Sequence, residues 1–455
     1  LKSNNPLVLL SVAVVLCVQG GAQSDIQPEV AARHALDVLL AAKYADFEPL
    51  LSPEAKQKLT PDFLRDHVTP EITGFGKMEE VGRPVSAKSG NRTLVSFPVR
   101  FSKTTVNIQL TVGESGQISG LYFRNANDPL PPMWERPAYS KPALFHDREV
   151  TIGSDDWKLP GTLTLPVGKG PFPAIVLVHG PGPNDRDESI YYTRIFADIA
   201  EGLASKGIAV LRYDKRTKVY APQMTAMSYT LREETIDDAV RALKLVAGQP
   251  EVDPKRVFVL GHSLGGYAVP RIAKEYGKLA GAIILAGNAR PIEDVSVAQV
   301  EFMLKAKGGA TPDEQKRLDL MKAEAARIKN LGDGKEASPI LLGLPSAYYL
   351  DLKSYDPVAE AHRLGIPLLI LHGERDFQVT DADFNLWKAG LANDKNVTLK
   401  SYVALNHLFI TGDGPPSPMD YRKAGNVSPV VIDDISNWLL RVKHITALPA
   451  KTGSK

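Results

Sequence analysis

Val257-Phe258-Val259-Leu260-Gly261-His262-Ser263-Leu264-Gly265-Gly266 is a short apolar, β-branched run that breaks into Gly-x-Ser-x-Gly. The residues after it, Tyr267-Ala268-Val269-Pro270-Arg271-Ile272-Ala273, can continue as a helix. Strand, sharp turn and helix in that order are what a nucleophile elbow requires: the turn strains the serine backbone, and glycines at 261 and 265 remove Cβ atoms that would collide. Ser263 Oγ is then expected to stand exposed at the C-terminal edge of a parallel sheet. The five-residue pattern alone is equally a glycine-rich turn with a solvated serine, so the rest of the chain must decide.

Working outward, Ala174-Ile175-Val176-Leu177-Val178-His179 and Ala209-Val210-Leu211-Arg212-Tyr213 precede the elbow. Ala282-Ile283-Ile284-Leu285-Ala286-Gly287 and Pro367-Leu368-Leu369-Ile370-Leu371-His372 follow it. Short runs rich in Val, Ile and Leu, separated by helical stretches such as 235–246, are expected of parallel strands covered on both faces. Residues 149–152 and 159–166 read as an antiparallel opening pair. The expected fold class is therefore α/β, a mostly parallel, doubly wound sheet. Between Asn288 and Tyr349 the alternation stops and charged helical stretches, 299–307 and 312–331, intervene. An insertion there, about 288–349, would sit over the C-terminal edge of the sheet; it is read as a lid, because loops at that edge build ligand crevices.

A serine hydroxyl is a poor nucleophile at neutral pH unless a base takes its proton, and a carboxylate must hold that base in the right tautomer. Asp376 follows the strand-like run 368–372, and His407 follows the run 397–402. Both sit where a strand releases the chain at the edge that carries Ser263. A histidine base predicts activity that falls below about pH 6–7, where imidazole becomes protonated.

The order Ser, Asp, His is that of α/β-hydrolases. Residues from about 145 to 440 resemble a bacterial α/β-hydrolase of the esterase D and serine aminopeptidase-like group. The matching segments are His179-Gly180-Pro181-Gly182-Pro183-Asn184-Asp185-Arg186-Asp187, Leu211-Arg212-Tyr213-Asp214-Lys215-Arg216-Thr217, Gly261-His262-Ser263-Leu264-Gly265-Gly266, His372-Gly373-Glu374-Arg375-Asp376 and Leu405-Asn406-His407-Leu408-Phe409. The resemblance implies Ser263 as nucleophile, His407 as general base and then acid, and Asp376 as its orienting carboxylate. It also implies the backbone N–H of Leu264 as the first oxyanion donor. The second normally comes from a His-Gly-x-Gly loop, and here x is Pro181, which has no N–H. Either Gly182 supplies that donor or the hole is incomplete; Gly182 is the expected one. These segments do not fix the substrate. Hydrolysis of a small-molecule carboxylic ester through an acyl-enzyme is the leading reading, an amidase or aminopeptidase with the same triad is the alternative, and a non-catalytic cell-wall or glycan binder on a hydrolase fold is the reading from another class.

Other polar residues are expected to be structural. His179 and His372 each end a strand before glycine and are read as packing below the site or fixing a loop. Asp185, Arg186 and Asp187 are read as an ion-pair network shaping the oxyanion loop, with substrate binding by Arg186 as the alternative. Asp214 and Arg216 are read as bracing that loop, and Asp237 and Asp238 as a solvated helix face. No dinucleotide fingerprint, phosphate loop or metal-ligand cluster appears, so no cofactor is expected.

At 455 residues the chain is too long for one core of typical size, which predicts two domains. The net charge of +2, without a long block of one sign, argues against a nucleic-acid partner. Lys2, the apolar run 6–18 and the small residues Gly20 and Ala22 describe a secretory signal peptide over 1–22. A secreted or periplasmic protein is expected, without stable membrane insertion after cleavage. The only cysteine, Cys17, would leave with that signal. Residues 25–127 read as a small α+β module that resembles the nuclear-transport-factor-like module upstream of some secreted bacterial α/β-hydrolases; His34 and His67 in it are read as surface or packed residues. The proline-rich stretch 128–142 reads as a connector, and 143–445 as the catalytic domain.

Overall fold

The computed structural model describes residues 27–89, 92–126, 134–153, 156–332 and 340–442. Residues 1–22, read above as a signal peptide, and the prolines at 129, 131 and 132 lie outside them. The chain divides into two compact units, one up to Met133 and one from Trp134.

In the first unit, Ala32, Ala35, Leu36 and Leu39 recur at helical spacing and form the buried stripe of the helix Pro28–Leu40. That stripe shares a core with Phe97, Val99, Ile108 and Leu110, which alternate on the long strands Arg92–Phe101 and Thr105–Gly113. These strands pair antiparallel with each other and with Ile118–Asn125. Met78–Val81 and Val85–Ser89, which no sequence signal marked, pair antiparallel with Arg92–Phe101. His34 and His67 are exposed.

The second unit is built on one eight-stranded sheet. Its strands in chain order are β1 (Phe145–Ile152), β2 (Leu159–Pro166), β3 (Phe172–Val178), β4 (Ala209–Tyr213), β5 (Val252–His262), β6 (Gly281–Leu285), β7 (Leu368–Gly373) and β8 (Val397–Tyr402). The spatial order is β8-β7-β6-β5-β3-β4-β2-β1. β1 and β2 form the expected antiparallel opening pair, and the neighbours from β4 to β8 are parallel. Val257, Phe258, Val259 and Leu260 on β5 are fully buried, because helices cover both faces. Each contributes roughly 1.5–3 kcal/mol by leaving water. The chain leaves β3 for β4 on one side and reaches β5 on the other, so a crevice opens at the C-terminal ends of β3 and β5.

The helix expected over 235–246 runs Asp237–Ala247 and is entered through the helical turn Arg232–Ile236. The segment between β6 and β7 carries the helices Ile292–Ala306, Pro312–Lys329 and Ser346–Leu352. Pro312–Lys329 starts at a capping box, in which Glu314 N donates to Thr311 Oγ1 and Thr311 N to Glu314 Oε2. The connector needs correction from Trp134 onward. Trp134 Nε1 donates to Asp198, Arg136 pairs with Glu201, and Tyr139 Oη donates to the Val427 carbonyl, so 134–142 is packed on the second unit. Its prolines suggested a spacer, whereas its aromatic and arginine side chains dock.

Candidate active site

Ser263 sits between the end of β5 and the helix Leu264–Tyr276 with φ +55° and ψ −119°, a strained conformation for a residue with a Cβ. Its amide donates to the Leu285 carbonyl on β6 at 2.9 Å, which anchors the turn to the sheet. A Cβ on Gly261 would lie 2.6 Å from Gly266 N, and one on Gly265 would lie 2.7 Å from the His179 carbonyl oxygen. Both glycines are therefore required by close backbone approach, as the elbow predicts. The first amides of Leu264–Tyr276, Leu264 N among them, form a helix N-terminus beside the serine, where donors and the dipole favour negative charge.

Asp376 follows β7 and is buried. Its Oδ1 accepts the amides of Gln378 and Val379 at 2.7 and 2.9 Å, which fixes the carboxylate plane. Its Oδ2 accepts from His407 Nδ1 at 2.6 Å. A carboxylate can only accept here, so Nδ1 carries a proton, and in the neutral ring Nε2 is the acceptor. The loop after β8 holds His407 through Asn406, whose Oδ1 accepts the amides of Leu408 and Ile410. His262, immediately before Ser263, brings the two loops together: its Nε2 lies 3.0 Å from the His407 carbonyl oxygen and the two rings are 4.7 Å apart.

The third loop, Gly180-Pro181-Gly182-Pro183, packs against the serine; a Cβ on Gly180 would lie 3.3 Å from Ser263 Cβ. With prolines at 181 and 183 the loop lacks two N–H groups, and it is held by its carbonyls. Gly180 O accepts from Lys215 Nζ at 2.7 Å, Pro181 O from Asn184 Nδ2 at 3.0 Å, and Gly182 O from Thr217 Oγ1 at 2.8 Å. The Gly180 amide is bound to Glu188 Oε1 at 2.6 Å. Gly182, with φ +91°, lines a cavity of about 480 Å³ together with Ser263 and Leu264. Residues of the 288–349 segment, including Ile292, Val295, Leu344 and Tyr348, form another wall of that cavity.

Two buried polar groups at the site were given no role from the sequence. Glu188 Oε2 faces His262 Nδ1 at 3.0 Å, both side chains being buried. Burial opposes charge on each, but mutual attraction outweighs it: His262 is held above its ordinary pKa and Glu188 below. Lys215 Nζ donates to Glu234 Oε1 at 2.6 Å, and Tyr348 Oη donates to Glu234 Oε2 at 2.6 Å. His262 occupies the free position of Gly-x-Ser-x-Gly, and that place was its only mark.

His179 is buried against Phe196 and Tyr213, and burial pushes it down to about 4, so it is a neutral packed ring. His372 Nε2 bonds Asp381 at 2.7 Å. Arg186 bonds Glu149, Thr162 and Asp214, Asp185 accepts the amides of Asp187 and Ser189, and Asp187 pairs with Arg212. This is a network that shapes the loop. Asp214 braces the loop by accepting the Arg186 amide at 2.9 Å. Two readings are corrected. Arg216 does not brace the loop but pairs with Asp238 through Nε at 2.8 Å, and Asp238 is 1% exposed, not solvated. A helix position flanked by charges looks polar from the sequence; its burial depends on an arginine arriving from 22 residues away.

Sheet order, strained serine elbow and the carboxylate-bound histidine after the last strand together define an α/β-hydrolase. The chain belongs to the serine aminopeptidase, S33, family, whose family model matches residues 171–413. Esterase EstD of Thermotoga maritima is 39% identical over 350 residues, which is 76% of this chain and 80% of that protein. Among solved structures, Est1E from Butyrivibrio proteoclasticus is 17% identical with a TM-score of 0.42, covering 65% of this chain and 98% of its own. The Pyrococcus furiosus esterase PF2001 is 17% identical with a TM-score of 0.41, covering 69% and 99%.

Proposed function

We propose that this protein hydrolyses carboxylic esters of small molecules, with Ser263 as nucleophile, His407 as base and Asp376 as the carboxylate that orients it. The observation that carries the reading is the 2.6 Å bond from His407 Nδ1 to Asp376 Oδ2, which leaves Nε2 as the proton acceptor on the loop that meets the serine elbow. Ser263 Oγ attacks the acyl carbonyl as its proton passes to His407 Nε2. The tetrahedral oxyanion is held by Leu264 N and Gly182 N, and collapse expels the alcohol, which takes the proton back from His407. Water then attacks the acyl-serine with His407 again as base, releasing the acid. No metal is needed, since the serine itself carries the acyl group.

The relationship to an esterase supports ester over amide substrates, and so does the cavity. An aminopeptidase needs an anionic partner for the substrate ammonium. Among the described residues lining the cavity the carboxylate is Glu234, and both of its oxygens are engaged by Lys215 and Tyr348. Export directed by residues 1–22 is part of the same proposal, and N-terminal sequencing of the protein recovered from a host's periplasm or medium tests it.

The test of the chemistry is labelling by an alkyl fluorophosphonate together with turnover of short acyl esters and aminoacyl anilides. Labelling and ester turnover that disappear in Ser263→Ala are expected. Folded protein that does not label refutes catalysis by this serine, and anilides turned over faster than every ester refute the ester assignment.

A further inference from the structure

We propose that Tyr348, on a helix of the insertion between β6 and β7, positions the oxyanion loop through Glu234 and Lys215, so that the insertion helps to complete the catalytic site as well as enclosing substrate. The inference rests on the serine-hydrolase reading above. Its observation is a continuous buried chain: Tyr348 Oη donates to Glu234 Oε2 at 2.6 Å, Lys215 Nζ donates to Glu234 Oε1 at 2.6 Å, and the same Nζ donates to the Gly180 carbonyl at 2.7 Å. Tyr348, Glu234 and Lys215 are 0%, 4% and 2% exposed, so each hydrogen bond of the chain is made away from the protein surface.

The carbonyl that Lys215 holds belongs to the peptide between Gly180 and Pro181. Rotation of that peptide moves Pro181 and, with it, the Gly182 amide assigned to the oxyanion. The other side of Gly180 is fixed separately, through its amide on Glu188. Asn184 Nδ2 also donates to that carbonyl, at 3.1 Å, from within the loop's own segment, whereas Lys215 ties it through Glu234 to the insertion. An ammonium shared between one carboxylate and one carbonyl is placed by both. If Tyr348 no longer donates to Glu234, a buried carboxylate oxygen is left without its partner, and it regains one by drawing Lys215 away from Gly180. Tyr348 is therefore a positioning residue, not one that touches the reacting atoms.

Tyr348→Phe removes the hydroxyl and keeps the ring that packs edge-on to Tyr229 at 6.0 Å. A displaced donor should cost less than the about 10²–10³ in kcat that follows outright loss of one. The expected result is a fall of about tenfold in kcat with KM within twofold of the wild type, equal for an acetyl ester and for an ester whose acyl group fills the cavity. A rise in KM at unchanged kcat, or a fall confined to the bulky ester, overturns the proposal and makes Tyr348 a wall of the pocket. A second arm uses the charge-balanced background Lys215→Met with Glu234→Gln. There Tyr348→Phe should lower kcat by less than twofold, and a further tenfold loss overturns the coupling. If that background does not fold, the acetyl and bulky ester comparison on the single variant decides alone. Wild-type protein that neither labels with fluorophosphonate nor cleaves esters refutes the hydrolase reading itself. Wild-type protein that does both, while Tyr348→Phe keeps its kcat, refutes only the coupling.

Discussion

Glu188→Gln tests the buried support of the site without changing its shape. The wild-type carboxylate accepts the Gly180 amide at 2.6 Å and faces His262 Nδ1 at 3.0 Å, and both side chains are almost inaccessible. Glutamine keeps an acceptor for Gly180 and discards the charge. Breaking a buried ion pair by removing one partner costs about 3–5 kcal/mol; with the amide contact retained and His262 free to become neutral, about 2–3 kcal/mol is expected. The pH dependence carries the signature. Burial, the largest single influence on each group, disfavours charge, yet the attraction between them leaves Glu188 below its ordinary 4.5 and His262 above its ordinary 6.5. The Glu188 share of the stability is present above 4.5 and is lost as pH falls through the lowered folded value. The His262 share is complete below 6.5 and is lost as pH rises through the raised folded value. The difference in unfolding free energy between wild type and variant, from urea titrations followed by tryptophan fluorescence, should therefore be largest between pH 4.5 and 6.5 and shrink above that window. A difference that is flat with pH, or that grows above about pH 7, refutes a charged Glu188–His262 pair.

Gly261→Ala places a Cβ 2.6 Å from Gly266 N, against backbone that has no room to move, and should cost more than about 4 kcal/mol; thermal unfolding within a few degrees of wild type would contradict the elbow geometry. Ser263→Gly should end ester turnover while raising stability by about 1 kcal/mol, because glycine tolerates φ +55°, and urea unfolding checks it. Pro181→Ala adds a backbone N–H to the oxyanion loop. If Gly182 already supplies the second donor, kcat stays within threefold, and a rise of tenfold or more would show that the native hole lacks it. Asp238→Ala strands Arg216 in the core, with an expected loss of about 3–5 kcal/mol by chemical denaturation, whereas a loss under about 1 kcal/mol would place that pair outside the stabilising core.

The parts of this molecule that could be read from sequence are those whose signal is local. Val257–Leu260 had to be apolar because the central strand is covered on both faces, and Gly261 and Gly265 had to be glycine because two backbones meet there. Asp376 and His407 could be placed because each directly follows a strand, and parallel strands release the chain at one edge. Glu188 carries no such mark, and Lys215, which does follow β4, carries none that names its partners. Each sits in a loop, and its role exists only through partners brought by folding: His262 for Glu188, and for Lys215 both Gly180 and Glu234. Asp238 fails for the same reason, since a charge on a helix reads as solvated until its buried partner is known. The opposite failure occurs over 134–142, where prolines suggested an open connector and the intervening Trp134, Arg136 and Tyr139 dock it instead.

The charged groups nearest the site share one property that bears on its chemistry: each is matched by an opposite charge. Glu188 faces His262, Lys215 bonds Glu234, and Arg216 bonds Asp238, all of them buried. Two of these pairs hold backbone of the loop as well. Glu188 and Lys215 fix the two sides of Gly180, while the cavity walls contributed by Met224, Ile292, Val295 and Leu344 are apolar. A substrate entering this space meets no unpaired charge to which an ammonium or carboxylate could bind among the described lining residues. The pairs that hold Gly180 therefore also leave the cavity, among its described lining residues, without a free charge to offer a substrate.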